Sequence, residues 1–437
     1  MTGTLTRVRD AGTAASGTPL RTELRRGIPP WTGAAVALTL LVTLGARADQ
    51  WQGDWGETQS LLRSVNALLC GPLAAAAACW QGGRERRART TELLSAVPRS
   101  RLRRAVTAAA PVALWAAVGY LVALAVLVAA NLPYATGRGP SLSLAVSDSS
   151  LLASIALVGF VVGRLSPWRL TAPVLAVCTY VGLGVPSYLE SDVRFLSPGE
   201  QVELDVSVPV WWFAPVMLAW LGGPALTVLL GYAARRRVIA VIPLVVAVAA
   251  GSLIVRTGEE LWRDDPTVAR RICTDGVPQI CVNGHAGPML AQVSDALSGM
   301  LSRLDGVPNA PTRYVENGAR PDGGEVPLSR LTLGWDVVRN KLLDPRAYAQ
   351  DAAAGLMRRD CPSEGTGKES KEYWRVHRTD SAVQEWLVPV NDPAVENPQV
   401  KGYLGRLEAM PDTGRRAWLG RYLASRESCD PAEVPAL

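Results

Sequence analysis

Side chains capable of chemistry are scarce in this chain: two histidines, His285 and His377, and seven cysteines in 437 residues. Cys70, Cys79 and Cys178 sit inside apolar runs, where a thiol behaves as a small hydrophobe. Cys273, Cys281, Cys361 and Cys429 all follow the last long apolar run. Zinc favours cysteines two to four residues apart, joined by further cysteine or histidine ligands. Seven residues separate Cys273 from Cys281, so zinc fits poorly. An even set of cysteines facing an oxidising compartment instead predicts two disulfides. Four cysteines allow three pairings. The expected ones are Cys273–Cys281, across the turn Asp275-Gly276-Val277-Pro278, and Cys361–Cys429, tying two helical regions.

Catalytic motifs are missing. There is no His-Glu-x-x-His helix and no Gly-x-Ser-x-Gly elbow. Gly365-Thr366-Gly367-Lys368-Glu369-Ser370 imitates a phosphate loop but lacks its upstream glycine. Glu369 also stands where Mg²⁺ needs a hydroxyl, so a solvated loop is expected. His285 has no nucleophile in a known context beside it and reads as a polar residue near a helix start. Neither enzymatic activity nor a cofactor nor a metal is therefore expected.

The elements around these residues are mostly apolar. Seven runs, about Ile28–Ala46, Leu61–Trp80, Ala105–Ala130, Ser150–Gly163, Leu170–Tyr188, Val210–Tyr232 and Val238–Val255, predict membrane-spanning helices. Lipid offers backbone amides no partners, so helices are the expected form. The fourth run is short. It extends towards Ser147–Ser149 or pairs with the fifth across Arg164–Arg169 as a re-entrant unit. Ala46-Arg47-Ala48 imitates a signal-peptide cleavage site, but the long leader before Ile28 favours a retained span.

Arginine is distributed unevenly between alternate loops. The N-terminus and the second, fourth and sixth loops hold eighteen arginines, and the other loops before residue 256 hold three, Arg47, Arg138 and Arg194. The positive-inside rule then predicts a cytoplasmic N-terminus and, after seven crossings, an extracytoplasmic C-terminal region. The formal net charge of +6 follows from these flanking arginines. No basic patch is interleaved with aromatics, so nucleic acid is not an expected partner. Arg63 reads as a snorkelling residue near the outer end of the second span, and Asp148 as a loop carboxylate.

The predicted architecture is an all-α polytopic membrane helix bundle of about seven spans with a C-terminal soluble α+β domain. Residues 1–27 form a cytoplasmic N-terminus, 28–256 the membrane domain and 257–437 the outer domain. Within the last, Ile272–Val282 reads as a hairpin, Gly287–Leu304 as an amphipathic helix, and Pro311–Val315 and Val326–Leu333 as strands. Trp335–Arg359 reads as a helix broken near Pro345, followed by helices Lys371–Leu387 and Val400–Ser425.

Two segments carry a family likeness. Leu20-Arg21-Thr22-Glu23-Leu24-Arg25-Arg26 precedes the first span. Arg84-Glu85-Arg86-Arg87-Ala88-Arg89-Thr90-Thr91-Glu92-Leu93-Leu94, followed by Pro98-Arg99-Ser100-Arg101, follows the second. Together with a six-span core they resemble ABC-2-type transporter permeases over about Leu20–Tyr232. The seventh span and outer domain depart from the minimal pattern and resemble a subset with a Cys-containing C-terminal extension. The resemblance implies a connecting helix at Leu20, Glu23, Leu24 and Arg25. It also implies an ATPase-coupling loop at Arg84, Glu85, Arg86, Arg87, Glu92, Leu93, Leu94 and Pro98. Its implied partners are a separate ABC ATPase subunit, a second permease copy or paralogue, and the lipid bilayer. The apolar path suits export of a hydrophobic or amphipathic substrate. A second reading is a membrane-anchored sensor or interaction protein whose outer domain binds a partner.

Overall fold

A computed structural model describes residues 24–25, 27–89, 100–135, 137–316, 325–359, 371–389 and 398–437. Among these, seven helices are long and apolar enough to cross a membrane: α1 Ile28–Gly45, α2 Trp55–Gly82, α3 Arg101–Asn131, α4 Leu142–Leu165, α5 Thr171–Tyr188, α6 Phe213–Ala233 and α7 Arg237–Leu261. The fourth is longer than its apolar run suggests. It starts at Leu142, just after Pro140, and reads through Ser147-Asp148-Ser149-Ser150 without a break. The third, at 31 residues, would measure about 46 Å along its axis at about 1.5 Å per residue, more than a hydrocarbon core of about 30 Å.

Two compact units divide the chain. The first gathers residues up to Ala48, Gly56–Ala130 and Pro140–Arg263; the second gathers Asp49–Trp55, Asn131–Gly139 and Asp264–Leu437. In the first, small residues let backbones approach closely, as membrane helices require when no hydrophobic force drives their association. A methyl group on Gly163 of α4 would lie 1.9 Å from the Cys79 carbonyl oxygen of α2, and one on Gly159 2.6 Å from that of Ala75. The crossing of α1 and α3 is equally tight, since a methyl on Gly119 would meet the Gly33 carbonyl oxygen at 2.3 Å. One π-helical turn, Asn66–Cys70, interrupts α2.

The second unit is α+β. Strands β1 Arg271–Cys273, β2 Gln279–Asn283, β3 Arg313–Glu316 and β4 Glu325–Leu328 form one sheet in that order. β1 and β2 pair antiparallel with Cys273 opposite Cys281, whereas β2–β3 and β3–β4 are parallel. A parallel neighbour needs a crossover. Helix α8, Leu290–Leu304, provides it between β2 and β3, burying Val293, Leu297, Met300 and Leu304. The core continues through Tyr314, Val326, Leu356, Val383 and Tyr422.

Two helix expectations change. Pro345 starts a helix, Pro345–Met357, with Asp344 accepting hydrogen bonds from the amides of Arg346 and Ala347, while Val337–Val338 and Lys341–Leu342 form a small hairpin before it. Proline is pre-organised for a first helical position, so it begins this helix instead of breaking one. The Val400–Ser425 segment is two helices, Pro398–Ala409 and Asp412–Ala424, with Pro411 between them.

Candidate functional site in the helix bundle

Arg63 and Asp148 form an ion pair among the apolar helices. Arg63 Nε lies 3.4 Å from Asp148 Oδ1, and the side chains are 4% and 1% exposed. Charges this deeply buried need compensation from several partners. Tyr120 of α3 donates from its hydroxyl to Asp148 Oδ2 at 3.0 Å, and Arg63 Nη2 donates to the Pro198 carbonyl at 3.2 Å. Asn66 Nδ2 donates to the Asp148 backbone carbonyl at 3.1 Å. The guanidinium carbon also lies 5.5 Å from the Trp262 ring centroid and 5.8 Å from that of Phe213, within cation–π range. One buried charge pair thus draws on α2, α3, α4 and α6. Satisfaction is incomplete: Arg63 Nε, Asp148 Oδ1 and Asn66 Oδ1 make no hydrogen bond among the described residues.

This arrangement corrects two sequence expectations. Arg63 does not snorkel, and Asp148 is not in a loop. A signal was present, because an arginine inside the second apolar run calls for a partner in another helix. Asp148, near the start of the fourth run, was the candidate.

Beside the pair lies a cavity of about 390 Å³, walled by α2, α4, α5, α6 and the segment 193–198. Its lining is apolar apart from Ser154, Thr179 and Ser197, and includes Leu151, one turn beyond Asp148, and Pro198, whose carbonyl holds Arg63. Pro186, Pro198 and Pro224 reach the same space. Such a volume with apolar walls and a few polar atoms is the usual form of a small-molecule site.

The arginine-rich segment after α2 starts as a short helical turn, Arg84–Arg87. Glu85 Oε2 lies 2.6 Å from Arg164 Nη1 at the end of α4, and Arg86 donates to the Arg164 carbonyl. Arg87 donates to the Trp80 carbonyl, its guanidinium carbon 4.1 Å from the Trp80 ring centroid. This part of the implied coupling loop is therefore tied to the ends of α2 and α4. Glu92, Leu93, Leu94 and Pro98 lie outside the described residues. Of the implied connecting helix, Leu24 and Arg25 are described and helical, and Leu24 accepts a hydrogen bond from Trp115 Nε1 of α3 at 2.8 Å. Leu20 and Glu23 lie outside.

Cys273 and Cys281 form a disulfide. Cys429 is disulfide-bonded as well, and its expected partner Cys361 lies outside the described residues. Cys70, Cys79 and Cys178 are free thiols. No group of three or more potential metal ligands occurs among the described residues. Comparison with known proteins gives no match to any family model, curated protein or solved structure.

Proposed function

We propose that this chain is the membrane-spanning permease subunit of an ABC-2-type, ATP-driven transporter that exports a hydrophobic or amphipathic substrate. The observation that carries the reading is the 390 Å³ cavity, apolar but for three side chains, between four helices able to span a membrane. Ionisable residues inside such bundles mark substrate or ion pathways by default, and Arg63 is bonded to Pro198, one of the residues that line this space.

The proposed topology places the N-terminus in the cytoplasm and the C-terminal unit outside the cell membrane. Supporting it are the arginine asymmetry, the Cys273–Cys281 disulfide, and the membership of Asp49–Trp55 and Asn131–Gly139 in the same compact unit as Asp264–Leu437. Those two loops follow the first and third spans, so they share the side expected of a region that follows the seventh. The motor contact would be the arginine-rich segment after α2, gripped by a separate ATPase, with a second copy or paralogue completing the transporter.

The test is purification from the membrane followed by reconstitution with any co-purifying ATPase. A tryptophan at Ser154 or Leu221, both lining the cavity, should abolish ATP-dependent substrate movement while the ATPase still co-purifies. Retained transport with the cavity filled would reject it as the path. Capture of a regulator in place of an ATPase would support the membrane-anchored sensor, a reading favoured by the size of the independent C-terminal core.

A further inference from the structure

We propose that His285 is a pH-released clasp that fastens the loops at Asp54 and Gly137 to the start of the C-terminal segment in the second unit. Three stretches distant in sequence meet at its ring. Nδ1 lies 3.3 Å from Asp54 Oδ2, in the loop after α1, and Nε2 lies 2.7 Å from Thr267 Oγ1. The loop after α3 closes over the same ring, since a methyl group on Gly137 would lie 2.7 Å from Nε2. Only glycine fits there, and Gly137 has φ +86°, a conformation that other residues rarely adopt.

Proton positions follow from the partners. Thr267 Oγ1 donates to Asp265 Oδ1 at 2.7 Å, in the cap where the Thr267 amide donates to the same oxygen. With its proton committed to Asp265, the hydroxyl accepts from Nε2–H. The Asp54 carboxylate only accepts, so Nδ1 also carries a proton. A ring with two protonated nitrogens is an imidazolium, and its charge is matched by Asp54 and, with Oδ2 4.0 Å from Nε2, by Asp265. The same bonds argue against Asp54, His285 and Thr267 acting as a nucleophile–base set. The hydroxyl proton already has an acceptor in Asp265, and the Nε2 proton is given to the hydroxyl oxygen.

The two loops are bonded to each other. Asn131 Nδ2 donates to the Asp54 carbonyl at 3.0 Å, and the Gly53 amide donates to Asn131 Oδ1 at 2.9 Å. Asn340 Nδ2 donates to the Tyr134 carbonyl, and Arg339 Nε to Gln52 Oε1, both at 2.6 Å. Losing the charge at His285 therefore loosens both loops together.

The hydrogen bond to Asp54 raises the His285 pKa above its ordinary value. Burial opposes this, and the charges of Asp54 and Asp265 reinforce it. A histidine raised on folding contributes its stabilisation fully below the ordinary imidazole value of about 6.5 and loses it as pH rises through the raised value. The clasp holds in mild acid and opens towards alkaline pH, whatever the bundle carries.

The experiment is hydrogen exchange on the full chain in lipid nanodiscs at pH 6 and pH 9, corrected for intrinsic rates. It is read at peptides covering Asp49–Trp55 and Asn131–Gly139. Wild-type protection should fall roughly fivefold between the two, the equilibrium change of about 1 kcal/mol. In His285→Gln, protection at pH 6 should already match the wild type at pH 9 and vary little with pH. Asp54→Asn, which keeps an acceptor without the charge, should move the transition to lower pH. Equal wild-type protection at both pH values, an undiminished response in His285→Gln, or an unmoved transition in Asp54→Asn would each overturn the clasp.

Discussion

The Arg63 guanidinium and the Asp148 carboxylate neutralise each other across two adjacent apolar helices, with Tyr120 bonded to the carboxylate from a third. Removing one partner of a buried pair leaves an uncompensated charge and costs about 3–5 kcal/mol, whereas replacing both with apolar residues is often neutral. Asp148→Ala alone should sharply lower the unfolding temperature in detergent. Arg63→Leu combined with Asp148→Leu should recover most of the loss. A single variant as stable as the double would show that the charges are already well solvated.

The close passage of α4 over α2 makes its own prediction. Gly163→Val forces heavy atoms against the Cys79 carbonyl, where even a methyl would approach to 1.9 Å. Overpacking of this kind typically costs about 1–3 kcal/mol, and here backbone must shift to accommodate it. A marked fall in monodisperse protein on size exclusion is expected. Gly182→Ala, with nothing within 4 Å of the added methyl, should behave as wild type.

Disulfide bonding and topology can be read together. A membrane-impermeant maleimide applied to intact cells should leave Cys273 and Cys281 unlabelled until an external reductant is added, then label both. Changing both to serine should cost about 2–3 kcal/mol on a chain-entropy account for a loop this short. Labelling only after cell lysis would put the C-terminal unit on the other side.

The Glu85–Arg164 pair tests the proposed coupling segment. Both side chains are about one-fifth exposed, so the pair should contribute only about 0–1 kcal/mol to stability. On the proposed function, Glu85→Arg should therefore fold normally yet reduce stimulation of the proposed ATPase partner, and adding Arg164→Glu should restore it. Unchanged stimulation in the single variant would count against this segment as the lever.

Much of the fold was legible because its signals are local. Continuous apolar runs announce helices for a membrane, and the Cys273–Cys281 turn announces a hairpin within eleven residues, Ile272–Val282. The amphipathic spacing of Val293, Leu297, Met300 and Leu304 likewise sits in one stretch. The buried Arg63–Asp148 pair was missed because its logic is non-local. Asp148 lies in a polar quartet, Ser147–Ser150, that resembles a loop by composition. Only the position of Arg63 in another helix makes its burial tolerable. His285 was discounted for the same reason: Thr267 lies eighteen residues away from it, and Asp54 far further. Proline misled twice by position, breaking a helix at Pro411 and starting one at Pro345.

The π-helical turn at Asn66–Cys70 bears on how α2 keeps its bearing. Buried pairs recur every four residues from Thr58-Gln59 through Leu62-Arg63, Asn66-Ala67, Cys70-Gly71 and Ala74-Ala75 to Ala78-Cys79. A regular helix at about 3.6 residues per turn would swing such a stripe steadily around the cylinder, and a wider turn partway along offsets the drift. Deleting one residue from that turn would restore ordinary pitch but rotate everything on one side of it by about 100° relative to the other. The alanines facing α4 and the arginine facing Asp148 could no longer point the same way, so the irregular turn sets the angular alignment between packing face and charge.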